Sequence, residues 1–125
     1  MNDIQNRLKE IKIEDFIWII YIGIIFLSFY SNYLEKQYFL NNDINSKNKY
    51  RSIIITIFSI LVLVYLYFLI DSYNSIKSLD SNSDDKTKLL TYLSFIASLL
   101  IVVAGIIYLY IALNDENINI ELAFN

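Results

Sequence analysis

Three long stretches of the 125-residue chain contain no charged residue, and they cover residues 16–34, 52–70 and 89–114. Drawn as a helix, each stretch is apolar around its whole circumference, which is typical of helices in lipid or deep in a large core. About 20 helical residues cross a hydrocarbon core of ~30 Å. Because so short a chain has no polar shell to bury three such helices, the pattern predicts an all-α integral membrane protein with three transmembrane helices.

The polar segment before the first stretch, residues 1–15, has a helical pattern of its own. Ile4, Leu8 and Ile11 recur at the spacing of one helix face, and the charged residues occupy other positions. This spacing predicts a short N-terminal amphipathic helix. Two arrangements are open: the helix lies at the membrane interface, or it continues into the first transmembrane helix.

Two polar segments connect the apolar stretches, and both are predicted to be loops too poor in apolar residues to fold on their own. The first loop covers residues 35–51 and the second covers residues 71–88. Asp84 or Asp85 is predicted to cap the third helix, because a carboxylate at a helix start accepts hydrogen bonds from backbone N–H groups and suits the positive end of the helix dipole. The whole chain is therefore expected to form a single membrane domain.

Basic residues predict how the three helices are oriented. The N-terminal segment and the second loop share one side and together carry six Lys and Arg residues, whereas the first loop and the tail together carry four. Cytoplasmic segments of membrane proteins are enriched in Lys and Arg. The distribution favours a multi-pass protein of the cell membrane with a cytoplasmic N-terminus and an outside C-terminus.

Small and hydroxyl-bearing residues interrupt the apolar stretches at helical spacing. Small residues let helix backbones approach, and hydroxyls form hydrogen bonds between helices. The residues predicted to pack helices within or between protomers are Gly23, Ser52, Thr56, Ser59, Ser94, Ser98 and Gly105. The alternative interpretation is a hydroxyl-lined pore formed by an oligomer.

The C-terminal tail, residues 115–125, alternates between apolar and polar positions, and its apolar residues are Ile118, Ile120, Leu122 and Phe124. A period of two is typical of a strand, and a single strand is not stable alone. Three interpretations are open. The tail pairs with a strand edge of a partner, it lies on the membrane surface, or it has no fixed structure.

Aromatic residues lie near the ends of the apolar stretches, among them Trp18, Tyr30, Tyr73 and Tyr108. Amphipathic rings prefer the headgroup level of a bilayer. This placement predicts interfacial belts.

The composition excludes several kinds of catalytic and binding site. The chain is 56% hydrophobic and 18% charged, and it has no Cys and no His, which excludes disulfides, thiol nucleophiles and Ser-His-Asp triads. The acidic run from Asp80 to Asp84 matches only the start of an EF-hand loop, because Asp85 and Thr91 stand where Gly and Glu are needed. No enzyme activity, cofactor, metal or nucleic-acid partner is expected. Residues with AT-rich codons, such as Ile and Asn, are abundant, which favours a low-GC bacterium as the source.

Three functions are compatible with this pattern. The favoured one is a non-enzymatic accessory or interaction subunit that docks its helices and tail onto a larger membrane protein or onto copies of itself. The first alternative is an oligomeric, holin-like pore, although the tail carries no basic residue. The second is an immunity-type protein that protects a membrane target. In each case the lipid bilayer is a partner.

Overall fold

The computed structural model describes residues 2–115, and this part of the chain forms three α-helices. Helix α1 covers Asn2–Asn41, α2 covers Ile44–Lys77 and α3 covers Asp85–Asn114. All three are long and apolar enough to cross a membrane. The predicted all-helical class is therefore confirmed, and each uncharged stretch lies within one helix.

Helix α1 is 40 residues long, which corresponds to about 60 Å at the ordinary rise of an α-helix. The amphipathic segment is its first part, so it continues into the first uncharged stretch without a break. Arg7 pairs with Glu10 at 3.0 Å and with Glu14 at 3.5 Å on this segment. These neighbouring carboxylates raise the pKa of the Arg7 guanidinium.

The connection between α1 and α2 is much shorter than the loop predicted at residues 35–51. Only Asn42 and Asp43 separate the two helices. Asn42 adopts the left-handed conformation with φ 52°, and its N–H donates to the Tyr38 carbonyl at 2.8 Å, which ends α1. Residues 35–41 belong to α1 and residues 44–51 belong to α2. A charged side chain ends an apolar stretch but does not end a helix, because Glu, Lys and Gln are good helix formers.

The second connection also differs from the predicted loop at residues 71–88. Helix α2 continues to Lys77, and α3 begins at Asp85. Asp84 is the N-cap of α3, and its carboxylate accepts a hydrogen bond from the Thr87 N–H at 2.7 Å. The predicted capping role of an aspartate at this position is confirmed for Asp84.

The described chain divides into two compact units, residues 2–54 and residues 55–115. The first unit contains α1 and the first turns of α2, and its buried residues include Ser31, Leu34, Ser46 and Tyr50. The second unit contains the rest of α2 and all of α3, and its buried residues include Ile57, Phe58, Leu61 and Val102. The single membrane domain expected from the sequence stays a prediction.

Candidate functional site

In the second unit, α3 packs tightly against α2 at Gly105. A Cβ atom added at Gly105 would lie 3.1 Å from Cδ2 of Tyr65 and 3.3 Å from Cγ2 of Val62, both on α2. Gly105 is also buried. The glycine therefore lets α3 pack directly against two bulky side chains of α2, which is the contact expected of a small residue in a helix interface.

A hydroxyl pair joins the same two helices farther along. Oγ of Ser72 lies 2.9 Å from Oγ of Ser98, and either hydroxyl can be the donor. Ser98 was among the predicted packing residues, whereas Ser72 was missed because it follows Asp71, outside the uncharged stretch. The predicted Ser59 makes a different contact, since its hydroxyl donates to the carbonyl of Ile55 in its own helix at 2.7 Å.

Aromatic side chains complete the contacts between α2 and α3. The rings of Phe58 and Tyr108 stack with centroids 5.5 Å apart, and those of Tyr73 and Phe95 lie 6.1 Å apart. Tyr73 and Tyr108 were both predicted to belong to interfacial belts. Their positions within the second unit show that they also pack helices together, and such ring pairs contribute about 0.5–1.5 kcal/mol beyond area burial.

Four predicted packing residues are exposed in the single chain: Gly23, Ser52, Thr56 and Ser94. Around Gly23, apart from its chain neighbours and the backbone of its own helix, no atom of the described chain lies within 4 Å of an added Cβ. The structure thus brings Ser98 and Gly105 into contacts between helices and leaves these four residues on the surface. The tail residues Ile118, Ile120, Leu122 and Phe124 lie outside the described residues.

A buried serine of the first unit was not predicted. Ser31 on α1 is fully buried, and its hydroxyl donates to the Ser28 carbonyl at 2.8 Å. Its signal in the sequence is weak, because Ser31 stands between Tyr30 and Asn32 in a stretch rich in large side chains.

An open groove lies in the first unit between the second half of α1, at Tyr30, and the start of α2. Its volume is about 310 Å³, and it is lined by Tyr30, Asn48, Lys49, Ser52 and Ile53. We call it the Lys49 groove. The four lining residues of α2 form two adjacent pairs, 48/49 and 52/53, that lie one helical turn apart and so share one helix face. Lys47 directly precedes Asn48 on α2, and its Nζ lies 5.5 Å from the ring centroid of Tyr38.

Two exposed aspartates, Asp43 and Asp84, directly precede α2 and α3, and both carboxylates cap the helix that follows. Asp43 accepts from the Ser46 hydroxyl at 2.9 Å and from the Asn45 N–H at 3.1 Å. The Ser46 hydrogen bond lowers the pKa of Asp43, and hydrogen bonds from Thr87 lower the pKa of Asp84. These carboxylates thus stay ionised at the positive ends of two helix dipoles.

The acidic run that resembles the start of an EF-hand forms a turn. Oδ1 of Asp80 accepts from the Asn82 N–H at 2.9 Å and from the Ser83 hydroxyl at 3.2 Å. Among residues 2–115, no group of three or more acidic side chains is placed to hold a metal ion.

Comparison with protein-family models, curated proteins and solved structures finds no match for this chain.

Proposed function

We propose that this chain is an integral membrane protein whose three helices span a lipid bilayer. The observation that carries this proposal is the exposure of apolar side chains in the middle of each uncharged stretch. Within the most apolar window of α1, α2 and α3, only 11%, 28% and 17% of the residues are buried. Phe26, Leu63 and Leu100 are each more than 60% exposed. Continuous apolar surface of this extent is unfavourable in water and suits lipid.

The lengths of the uncharged stretches support the same proposal. At about 1.5 Å per residue, residues 16–34 and 52–70 each extend about 28 Å, close to the ~30 Å of a hydrocarbon core. The third stretch, residues 89–114, is longer and is accommodated by tilt or by projection past the interface. The charged ends of the helices then lie in the headgroup region and in water.

The orientation that we propose is a cytoplasmic N-terminus and an outside C-terminus. It rests on the excess of Lys and Arg in the N-terminal segment and in the residues around the second connection. A reporter fused at Asn125 is expected to be active outside the cell. A cytoplasmic signal from that fusion contradicts either the orientation or the number of spans.

Within the membrane, we propose that the chain acts as a non-enzymatic accessory subunit. This role is supported by the two sets of small residues: Ser98 and Gly105 are used between α2 and α3, whereas Gly23 and Ser94 are exposed in the single chain. The exposed set suits close approach by a helix of another chain. The tail, residues 115–125, is proposed as a second docking element.

The test combines extraction with cross-linking. Membranes that contain the tagged chain are washed at alkaline pH, which removes peripheral proteins, and the retained chain is cross-linked and purified. We expect retention in the membrane and a cross-linked product with a membrane protein or with a second copy. Deleting residues 117–125 is expected to weaken that product without releasing the chain from the membrane.

Two results contradict the proposal. Release of the chain by alkaline washing rules out spanning helices. Loss of the membrane potential on expression, with an assembled oligomer and no other partner, favours the holin-like pore instead. A point change at Gly23 to Leu serves as the matched variant, because it alters the proposed docking face and is expected to leave membrane retention unchanged.

A further inference from the structure

The Lys49 groove lies where two helices enter the proposed membrane. Ser52 is the first residue of the second uncharged stretch, and Tyr30 lies one helical turn before the end of the first. Lys49 lies one turn of α2 before Ile53, on the side of the short connection. The groove therefore has a cationic end at the headgroup level and an apolar end toward the hydrocarbon core.

The charge of the chain is also uneven, and the groove lies in its positive part. Residues 35–51 carry four basic and two acidic side chains, although the whole chain has a net charge of −3. The other polar segments, residues 1–15, 71–88 and 115–125, are each net negative. An anionic ligand at a helix end is therefore favoured here over the rest of the chain.

We propose that the Lys49 groove binds the phosphate headgroup of an anionic phospholipid. This inference rests on the membrane location proposed above. Lys49 supplies the positive charge, and the Asn48 amide and the Tyr30 hydroxyl supply hydrogen-bond donors around it. Phosphate is an acceptor-rich anion, so this set of groups is chemically matched to it.

The apolar surface beside the groove distinguishes a lipid from a small anion. Ile53 lines the groove itself, and Phe26, one turn from Tyr30 toward the centre of α1, is 70% exposed. An acyl chain placed below the headgroup covers these side chains, whereas free phosphate leaves them uncovered. Asp43 is an opposing charge for Lys49, because Lys49 contributes to the lowering of the pKa of Asp43. Lys49 is thus shared between Asp43 and the ligand.

The test measures lipid binding to the purified full chain by native mass spectrometry from detergent. The probes are phosphatidylglycerol and, as the zwitterionic control, phosphatidylcholine. Lys49→Gln removes one charge and is expected to weaken phosphatidylglycerol binding about fivefold, since one basic residue near an anionic surface contributes about 1 kcal/mol. Lys86→Gln, at an exposed lysine in the first turn of α3, is the matched control and is expected to leave binding unchanged.

A second pair of variants tests the groove by shape. Ser52→Phe fills it and is expected to reduce phosphatidylglycerol binding at least as much as Lys49→Gln. Ser94→Phe, at an exposed serine of α3, is expected to have no effect. Circular dichroism of each variant checks that the helices are intact.

Several results overturn the inference. The first is an equal loss of phosphatidylglycerol binding in Lys49→Gln and Lys86→Gln. The second is equal binding of phosphatidylglycerol and phosphatidylcholine, and the third is displacement of the lipid by inorganic phosphate. In each case a chain that resists alkaline extraction leaves the membrane proposal standing and removes only the headgroup site. A chain that alkaline washing releases overturns the membrane proposal itself.

Discussion

Gly23 and Gly105 are the two glycines of the chain, and each lies inside a long apolar helix. Their surroundings are opposite. At Gly105 an added Cβ would meet Tyr65 at 3.1 Å, whereas at Gly23, apart from its chain neighbours and its own helix backbone, no atom of the described chain lies within 4 Å of an added Cβ. The same residue type is thus a packing determinant in the second unit and a surface feature in the first. A glycine in an apolar helix specifies packing only where a neighbouring helix is present.

The largest expected effect is a difference in the free energy of unfolding between one substitution at each glycine. Gly105→Leu places a branched side chain against Tyr65 and Val62 and is expected to lower the free energy of unfolding by about 1–3 kcal/mol, as overpacking does. Gly23→Leu is expected to leave it unchanged or raise it by up to about 1 kcal/mol, because the new side chain meets no neighbouring helix and leucine is a better helix former than glycine. Unfolding of the purified chain in mixed micelles, followed by circular dichroism, gives both values.

Equal losses at the two glycines would break the comparison. If Gly23→Leu leaves unfolding unchanged but abolishes the cross-linked product, Gly23 belongs to a surface covered by another chain. That result supports the accessory role proposed above.

A smaller effect is expected at the hydroxyl pair. Ser72→Ala and Ser98→Ala, separately and together, form a double-mutant cycle, and the coupling is expected to be about 0.6 kcal/mol, the average for such hydrogen bonds in membrane proteins. The matched cycle of Ser72→Ala with Ser94→Ala is expected to give no coupling, because Ser94 is exposed. Equal coupling in both cycles would show that the hydroxyl contact of 2.9 Å carries no specific energy.

The smallest expected effect concerns the start of α3. The pKa of Asp84 is lowered by Thr87 from its ordinary value of 3.8. The carboxylate therefore stabilises the folded chain above that value, and this contribution is lost as the pH falls through the lowered pKa. Asp84→Asn keeps a side-chain acceptor but does not titrate. The unfolding temperature of the unchanged chain is compared with that of Asp84→Asn, and the difference between them is expected to shrink as the pH is lowered from about 6 to about 3. A constant difference over this range contradicts the capping account.

The sequence predicts the three helices well because each one contains an apolar stretch of 19 residues or more with no charged residue. It also limits the cap of α3 to Asp84 or Asp85, since a carboxylate just before a helical segment accepts hydrogen bonds from the first backbone N–H groups, and the structure selects Asp84. It does not predict the two-residue connection at Asn42 and Asp43. Charged residues mark where an apolar stretch ends, whereas the end of α1 depends on the left-handed backbone of Asn42.

The contacts within the second unit are harder to predict from sequence. Ser98 and Ser94 have the same chemistry and lie one turn apart, yet only Ser98 meets a hydroxyl of α2. Which of two such residues is used depends on the rotation of one helix about its axis relative to the other. That rotation is fixed by many side chains at once, including the stacked rings of Phe58 and Tyr108.

The most direct measurement of the central claim is the sidedness of the two helix connections. The chain has no cysteine, so Lys9→Cys, Asn45→Cys and Ser81→Cys each provide a single site for a membrane-impermeant maleimide. If three helices span the bilayer and the N-terminus is cytoplasmic, reagent added outside intact cells labels Asn45→Cys alone, and the other two are labelled only after lysis. Labelling of all three variants from one side contradicts the account.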